Sequence, residues 1–417
     1  MAKFSKKERL VASLLSKVPG VKRTVKQLYI TVNAVIYHKS YRHKILDNRI
    51  TNIAVPCQEH ETFGGYYDHP TIRNNKIFTY ISAFDTKHKP DDSIPIQLAV
   101  KDLNTHITTI IGKTCSYNWQ QGCRAQWLTD ELLIFNDYSE NNYNANVYSL
   151  SENKIVKTFH HPVQDAYKTD YFLSVNYSRL AQFNPDYGYR NIKSALCNTA
   201  ADGIWKTDYK TGKTILLHSI QSVTETGHQS LFEQCKHIIN HVMISPDGSK
   251  FMFIHRYYQG HRRYDRLLLS DFTKLVLLLD ENIVSHCHWI DNEKFIGYFR
   301  YKGEDGFYVY DLSNGNVEPV REMNNIAFGD GHPTCFRNWI AFDTYPDKSR
   351  MQHLFLFNFE TQQTIPLLEV CHSLKYQEEC RCDLHPRFSD NGKLISFDSV
   401  YQGHRTQCMV DISKIQI

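Results

Sequence analysis

The sequence predicts an all-β fold, a seven-bladed β-propeller with an N-terminal basic helical extension. Three observations carry that expectation. The first is a repeat. His241 in NHVMISPDGSKFMFIH, His286 in SHCHWIDNEKFIGYF, His332 in GHPTCFRNWIAFDTY and His385 in LHPRFSDNGKLISFDS each open a strand-like segment just upstream of an Asn or Asp turn. The second is the period. Successive histidines stand 45, 46 and 53 residues apart, and strand–turn–strand units recurring in that range are propeller blades. The third is that the template runs backwards through His69, Arg124 and Asp165, in YYDHPTIRNNKIFTYIS, CRAQWLTDELLIFND and DAYKTDYFLSVN. That makes seven copies.

In chain order, residues 1–46 form the extension and 47–417 the propeller. The extension holds eleven Lys or Arg against one acid, Glu8, whereas the whole 417-residue chain carries only +4. Leu10, Val11, Leu14, Leu15, Val18, Val21, Val25 and Leu28 recur at helical spacing, and Pro19-Gly20 divides the helix in two. A basic amphipathic helix points to peripheral contact with a membrane surface or to docking on a partner. No motif for nucleic acid accompanies the charge, so none is expected as a partner. The run LVASLL is too short and its flanks too charged for a secretory core or a membrane span. With eleven cysteines in no paired framework, reduced thiols and a cytoplasmic setting are expected, with peripheral contact at the inner membrane face. Cys380 and Cys382 form a CxC pair that suits either a metal or free loop thiols.

RITNIAVPC (49–57) is the candidate outermost strand of the last blade, closing the ring so that no sheet edge stays open. The blades then follow near residues 69, 124, 165, 241, 286, 332 and 385. The longest step, from 165 to 241, requires an insertion, placed between the third and fourth blades. It contains NPDYGYRN (184–191), in which Tyr187, Tyr189 and Arg190 suit a sugar ring bearing a carboxylate, or simply anchor their own loop.

In each blade the innermost strand begins, and the second strand ends, on one face of the disc. The second strands end at Asn136-Asp137, Asn176 with Arg179, His255-Arg256, Arg300, Asp343 with Tyr345, and Asp398. These residues should surround the histidines. Imidazoles from adjacent blades can hold a divalent cation and leave a coordination position open. His-rich ligation suits Mn or Zn, and also Fe or Ni. His241, His286, His332 and His385 are the candidate ligands. Walker, Rossmann and nucleophile-elbow motifs are absent.

The SPDG, DTYP, CDLHPRFS and FDS elements resemble the TolB-type propeller repeat, and more specifically the seven-bladed polysaccharide lyases typified by oligogalacturonate lyase and, more distantly, the propeller ulvan lyases. The likeness spans about residues 60–417 and is strongest at 332–350 and 382–399. It implies a divalent metal at the channel mouth on His286, His332 and His385, with His241 beside them. The Gln that completes the family's ligand set has no match here. Gln120 and Gln121 stand where the ulvan-lyase pattern has a catalytic His. The basic head lies outside the lyase pattern and looks like the N-termini of bacterial surface-polysaccharide synthesis proteins.

The function implied is a metal-assisted polysaccharide lyase acting by β-elimination on an acidic, uronate-containing glycan. The proton beside a uronate carboxylate becomes removable only when the developing enolate charge is stabilised. Arg256 and Arg124 are candidates to clamp the carboxylate bidentately. His255 is the candidate base and Tyr189 the candidate acid. His69, Tyr187, Arg190, Arg179, Arg300 and Asn136 are candidate substrate contacts. The alternative is a non-catalytic propeller that binds glycan or scaffolds envelope polysaccharide synthesis at the cytosolic membrane surface. A hydrolase or transferase would need a carboxylate pair drawn from Asp137, Asp343 and Asp398.

Overall fold

The computed structural model describes residues 19–59, 61–193, 198–326 and 329–415. Seven antiparallel sheets follow one another along the chain, with strands in sequence order from the centre outwards apart from one early strand added at the outer edge of the sixth. The chain is a seven-bladed β-propeller. The innermost strands begin at the predicted slots: Ile72–Arg73, Gln126–Trp127, Asp165–Tyr167, Lys236–Ile244, Val284–Trp289, Thr334–Phe336 and Arg387–Phe388. Apolar faces of neighbouring blades pack on one another. Leu133, Phe135 and Trp127 of the second blade meet Phe78, Leu98 and Val100 of the first, all buried. Burial on both faces suits strands this rich in Phe, Tyr, Ile and Leu.

The first blade departs from the pattern. Thr62–Phe63 and Ile72–Arg73 both pair with the same strand, Lys76–Ile81, at its opposite ends. The eight residues between them leave the sheet, and they include Tyr66, Tyr67, Asp68 and His69.

Three expectations are refined. The ring does close through 49–57, but as one bridge: Ala54 and Met409 exchange backbone hydrogen bonds of 2.9 and 2.8 Å. The strand His43–Ile45, inside the segment assigned to the extension, adds a fifth strand to the sixth blade by pairing with Thr364–Cys371. The insertion lies within the third blade, between Tyr171–Ser174 and Gly203–Asp208, rather than between the third and fourth. It contains the helix Tyr177–Phe183, which Asn176 caps by accepting from the Arg179 amide.

Helix α1 spans Pro19–Ile36. The apolar positions Leu10 to Val18 lie outside the described residues. Among the described residues no helix is long and apolar enough to cross a membrane. No described cysteine is paired, and Cys380 and Cys382 are buried free thiols outside any candidate metal group of the described residues.

Candidate metal centre at the channel mouth

The four histidines meet. His286 and His332 have ring centroids 4.1 Å apart, His332 and His385 4.3 Å, and His241 and His286 6.0 Å. A shared backbone device aims three of them. His241, His286 and His385 have φ of 52°, 42° and 47°, and Arg124 in the equivalent slot has 56°. In the fourth and fifth blades the ladder slips between Asn240 and Met243 and between Ser285 and His288. A bulge of this kind adds one unpaired residue and turns its side chain out of the sheet. Here the turned side chain is an imidazole facing the channel.

The residues around the ring set its tautomers. Asp343 accepts from the His332 amide at 2.7 Å and lies 3.0 Å from its Nδ1 through both oxygens. His385 Nδ1 lies 3.0 Å from the Gly65 carbonyl. A carboxylate and a carbonyl can only accept, so each histidine carries a proton on Nδ1, and in its neutral form presents the Nε2 lone pair to the channel. Both Nε2 atoms are buried without a hydrogen-bond partner among the described residues. Asp383, buried two residues before His385, completes a set whose ligand atoms lie within 4.8 Å of one another. Two orphaned imidazole nitrogens beside a carboxylate fit a divalent cation, and Asp343 holds its histidine as a metal's outer shell does. Burial depresses proton affinity at His241, His286 and His385. At His332 burial also works downward, but Asp343 outweighs it and the net shift is upward. His286 Nδ1 is 3.4 Å from Asp330 without hydrogen-bond geometry.

Four tyrosines stand against the ring, Tyr345 among them at 5.9 Å from His332. Tyr66 packs 5.3 Å from His241 and 4.9 Å from His385, its hydroxyl 3.3 Å from His241 Nε2. Tyr67 lies 5.4 Å from His332, and Tyr187 5.2 Å from His241. Arg381 joins Asp383 at 2.8 Å, pairs with Asp186, and reaches the Tyr187 hydroxyl at 3.4 Å. Burial opposes its charge, but Asp383 and its other neighbours keep it protonated. A cavity of about 270 Å³ reaches this corner, lined by Tyr345, Arg350, His372, Arg381 and Asp383, with Lys26 and Ile30 of α1 along it.

The remaining predicted residues divide. Tyr187 joins the ring, and Arg256, bound to Asp265 at 2.6 Å, is close enough to disfavour charge on His241. His255 does not join. It is fully buried, 2.9 Å from His237 Nδ1 and 3.2 Å from the Arg266 Nε donor. Tyr189 is also fully buried, stacked 4.1 Å from Tyr177 and accepting from Asn136 at 3.0 Å. Both are bonded to neighbours outside the histidine ring. Arg124 has its fork filled by Asp68, 3.0 Å from each Nη, with further bonds to His69 and the Gln164 carbonyl. Burial raises Asp68, yet Arg124 and His69 outweigh it and bring it to about 2. His69, lowered to about 4 by burial, also sits 3.6 Å from Asp165. This side of the ring is a self-neutralised cluster. Asn136 fixes Val163, Arg179 binds Asp202 at 2.5 Å, Arg190 pairs with Glu379, and Arg300 pairs with Asp305 at 2.7 Å on the exposed rim. Asp398 is held by Arg387 at 3.0 Å and Asp343 by His332.

Sequence reasoning missed Tyr66, Tyr67, Arg381 and Asp383. GGYYDH placed two glycines and two tyrosines just before a ring slot, and CRCDLH placed Asp383 two residues before His385. Both signals were legible.

No family model matches this sequence, and no curated protein does. Solved structures do. An oligogalacturonate lyase in complex with manganese is similar over 89% of this chain and 98% of its own, with TM-score 0.55 and 13% identity. Oligogalacturonate lyase from Vibrio parahaemolyticus is similar over 90% of this chain and 97% of its own, with TM-score 0.54 and 12% identity. At these identities the likeness establishes the fold.

Proposed function

We propose that this propeller is a metal-assisted polysaccharide lyase acting on a uronate-containing glycan. The observation that carries the reading is the pair of buried, partnerless Nε2 atoms of His332 and His385 beside Asp383. The similar fold of a lyase in complex with manganese supports it. His332, Asp383 and His385 would hold the ion. When bound, it would neutralise the uronate carboxylate and so acidify the neighbouring proton.

The chain's own groups do the rest. Arg381, bound to both Asp383 and Asp186 at the cavity wall, holds the Asp383 carboxylate in place beside the two imidazoles. His286, whose Nδ1 has no hydrogen-bond partner among the described residues, takes the proton from the carbon next to the carboxylate. The electron pair forms the new carbon–carbon double bond as the glycosidic C–O bond breaks. Tyr345 lines the cavity, and burial holds its hydroxyl well above the usual range, so it keeps a proton for the departing oxygen. Thus His286 and Tyr345 replace His255 and Tyr189 in these roles.

A second reading, a glycan-binding or scaffolding propeller, is favoured by the burial of all four ring histidines, each 1–4% exposed. A panel of uronate glycans, read by the ultraviolet absorbance of unsaturated uronate, separates the two. The lyase reading expects product, and a roughly 100-fold or greater loss in Tyr345→Phe. No unsaturated product from any member would leave the binding reading.

A further inference from the structure

Helix α1 lies along the ring face with two unlike sides. Tyr29, Ile30, Asn33 and Ala34 turn inward, while Val25, Leu28, Val32, Val35 and Ile36 turn outward, with Leu28 65% and Val35 73% exposed. At 100° per residue the outward five span about a quarter of the helix circumference, one continuous apolar stripe. A water-facing helix gains nothing by exposing five branched aliphatics in register.

The chain leaving α1 forms the second feature. His38, Lys39, Arg42, Lys87 and Lys375 line a cleft of about 510 Å³ whose walls include no carboxylate residue. Glu369 neutralises Lys39 from behind at 2.7 Å, and Asp85 neutralises Lys87 at 2.7 Å. Among the described residues no carboxylate pairs with Arg42 or Lys375 within salt-bridge distance. The cleft therefore keeps net positive charge beside the apolar stripe.

Topology fixes which way both features face. In each blade the fourth strand ends on the same face on which the innermost strand begins. Thr364–Cys371 is a fourth strand, and His43–Ile45 runs antiparallel to it, so residues 38–42 and 373–375 lie on the histidine face. The inward side of α1, through Lys26 and Ile30, borders the cavity that reaches Arg381 and Asp383.

We infer that the histidine face docks on a membrane bearing anionic phospholipid, with the α1 stripe entering the interface and the basic cleft taking lipid phosphate. The channel mouth then opens towards the lipid surface, and its glycan substrate is one held at that surface. The docking does not depend on the lyase reading, because its test is binding rather than turnover. Apolar burial and surface charge add in such a contact, and the charge part weakens with salt.

The full-length protein is sedimented with vesicles of phosphatidylcholine, or of phosphatidylcholine with about one quarter phosphatidylglycerol. Binding is expected only to the second, and should fall as salt rises. Leu28→Ser/Val32→Ser/Val35→Ser should weaken it about tenfold or more. Arg42→Gln/Lys375→Gln should weaken it several-fold and flatten the salt dependence. All five positions are exposed, so the melting temperature should hold. Should the serine variant misfold, the charge variant and hydrogen exchange decide. On vesicles the wild-type chain should slow its exchange at 25–42 and 373–377 but not in the opposite-face turns at 103–107, 210–213 and 360–363. The inference is overturned by no binding, by equal binding to neutral vesicles, by unchanged binding of both variants, or by protection of the opposite face. A lipid-free dimer that the serine variant dissolves would assign the stripe to a second copy of the chain and overturn it too.

Discussion

Gly65 holds φ at +92° and gives its carbonyl to both His385 Nδ1 and Arg387 Nη1, the latter at 2.7 Å. A Cβ there would stand 3.0 Å from Tyr80 and 3.1 Å from the Gln121 carbonyl. Gly65→Ala should therefore lower stability by about 1–3 kcal/mol in urea unfolding, and it should loosen His385. Asp343→Asn tests the other anchor. It replaces an acceptor-only group by one that can also donate, so His332 loses its enforced tautomer, and metal affinity should fall roughly 10–100-fold by titration calorimetry. Asp165 offers a pH test. Burial raises its carboxyl from 3.8 to about 7. The folded state thus holds the proton longer than the unfolded chain, and the group costs stability progressively as pH rises from about 4 through 7. Asp165→Asn should match the wild type at about pH 4 and gain on it above pH 7, read as the difference in unfolding free energy. Unequal legibility at this scale has a plain cause. A strand-end position gives the face of the disc but not the side of the sheet. His255 and Arg256 are neighbours whose side chains point oppositely, so Arg256 approaches His241 while His255 is buried against His237.

At the scale of elements, the bulge is the unit that makes the site, and sequence showed its result rather than its cause. The spacing of His241, His286 and His385 was readable because a repeated backbone puts like residues at like height. The left-handed φ at each was not, because no glycine or asparagine marks it. The extension is the element most altered by the structure. Residues 43–45 belong to the sixth blade, and Lys39 and Tyr41 both bind Glu369 on its outer strand. Removing 1–36 should leave the propeller folded, whereas removing 1–46 uncovers the edge of Thr364–Cys371. An uncovered edge invites pairing with another chain. Thermal melting with light scattering should show the longer truncation, and not the shorter, aggregating and melting earlier.

Over the whole molecule, the period of the four histidines gave the last blades, and the strand–turn–strand template carried the count back to seven through His69, Arg124 and Asp165. The closure was less legible. A single bridge, Ala54 with Met409, ends a segment whose composition resembles any short strand. The tyrosine excursion between Thr62–Phe63 and Ile72–Arg73 breaks the repeat, and so escaped a reading built on it. What the assembled disc provides is one end of a channel at which four blades contribute histidine and the first, third and sixth contribute tyrosine. The claim that this end is a metal centre is tested most directly by calorimetric titration of the chelator-treated full-length protein with Mn²⁺ and Zn²⁺, alongside His332→Ala, Asp383→Asn and His385→Ala. One ion per chain is expected in the wild type, with binding weakened at least about tenfold in each variant. No binding in the wild type, or equal binding in all three variants, would contradict it.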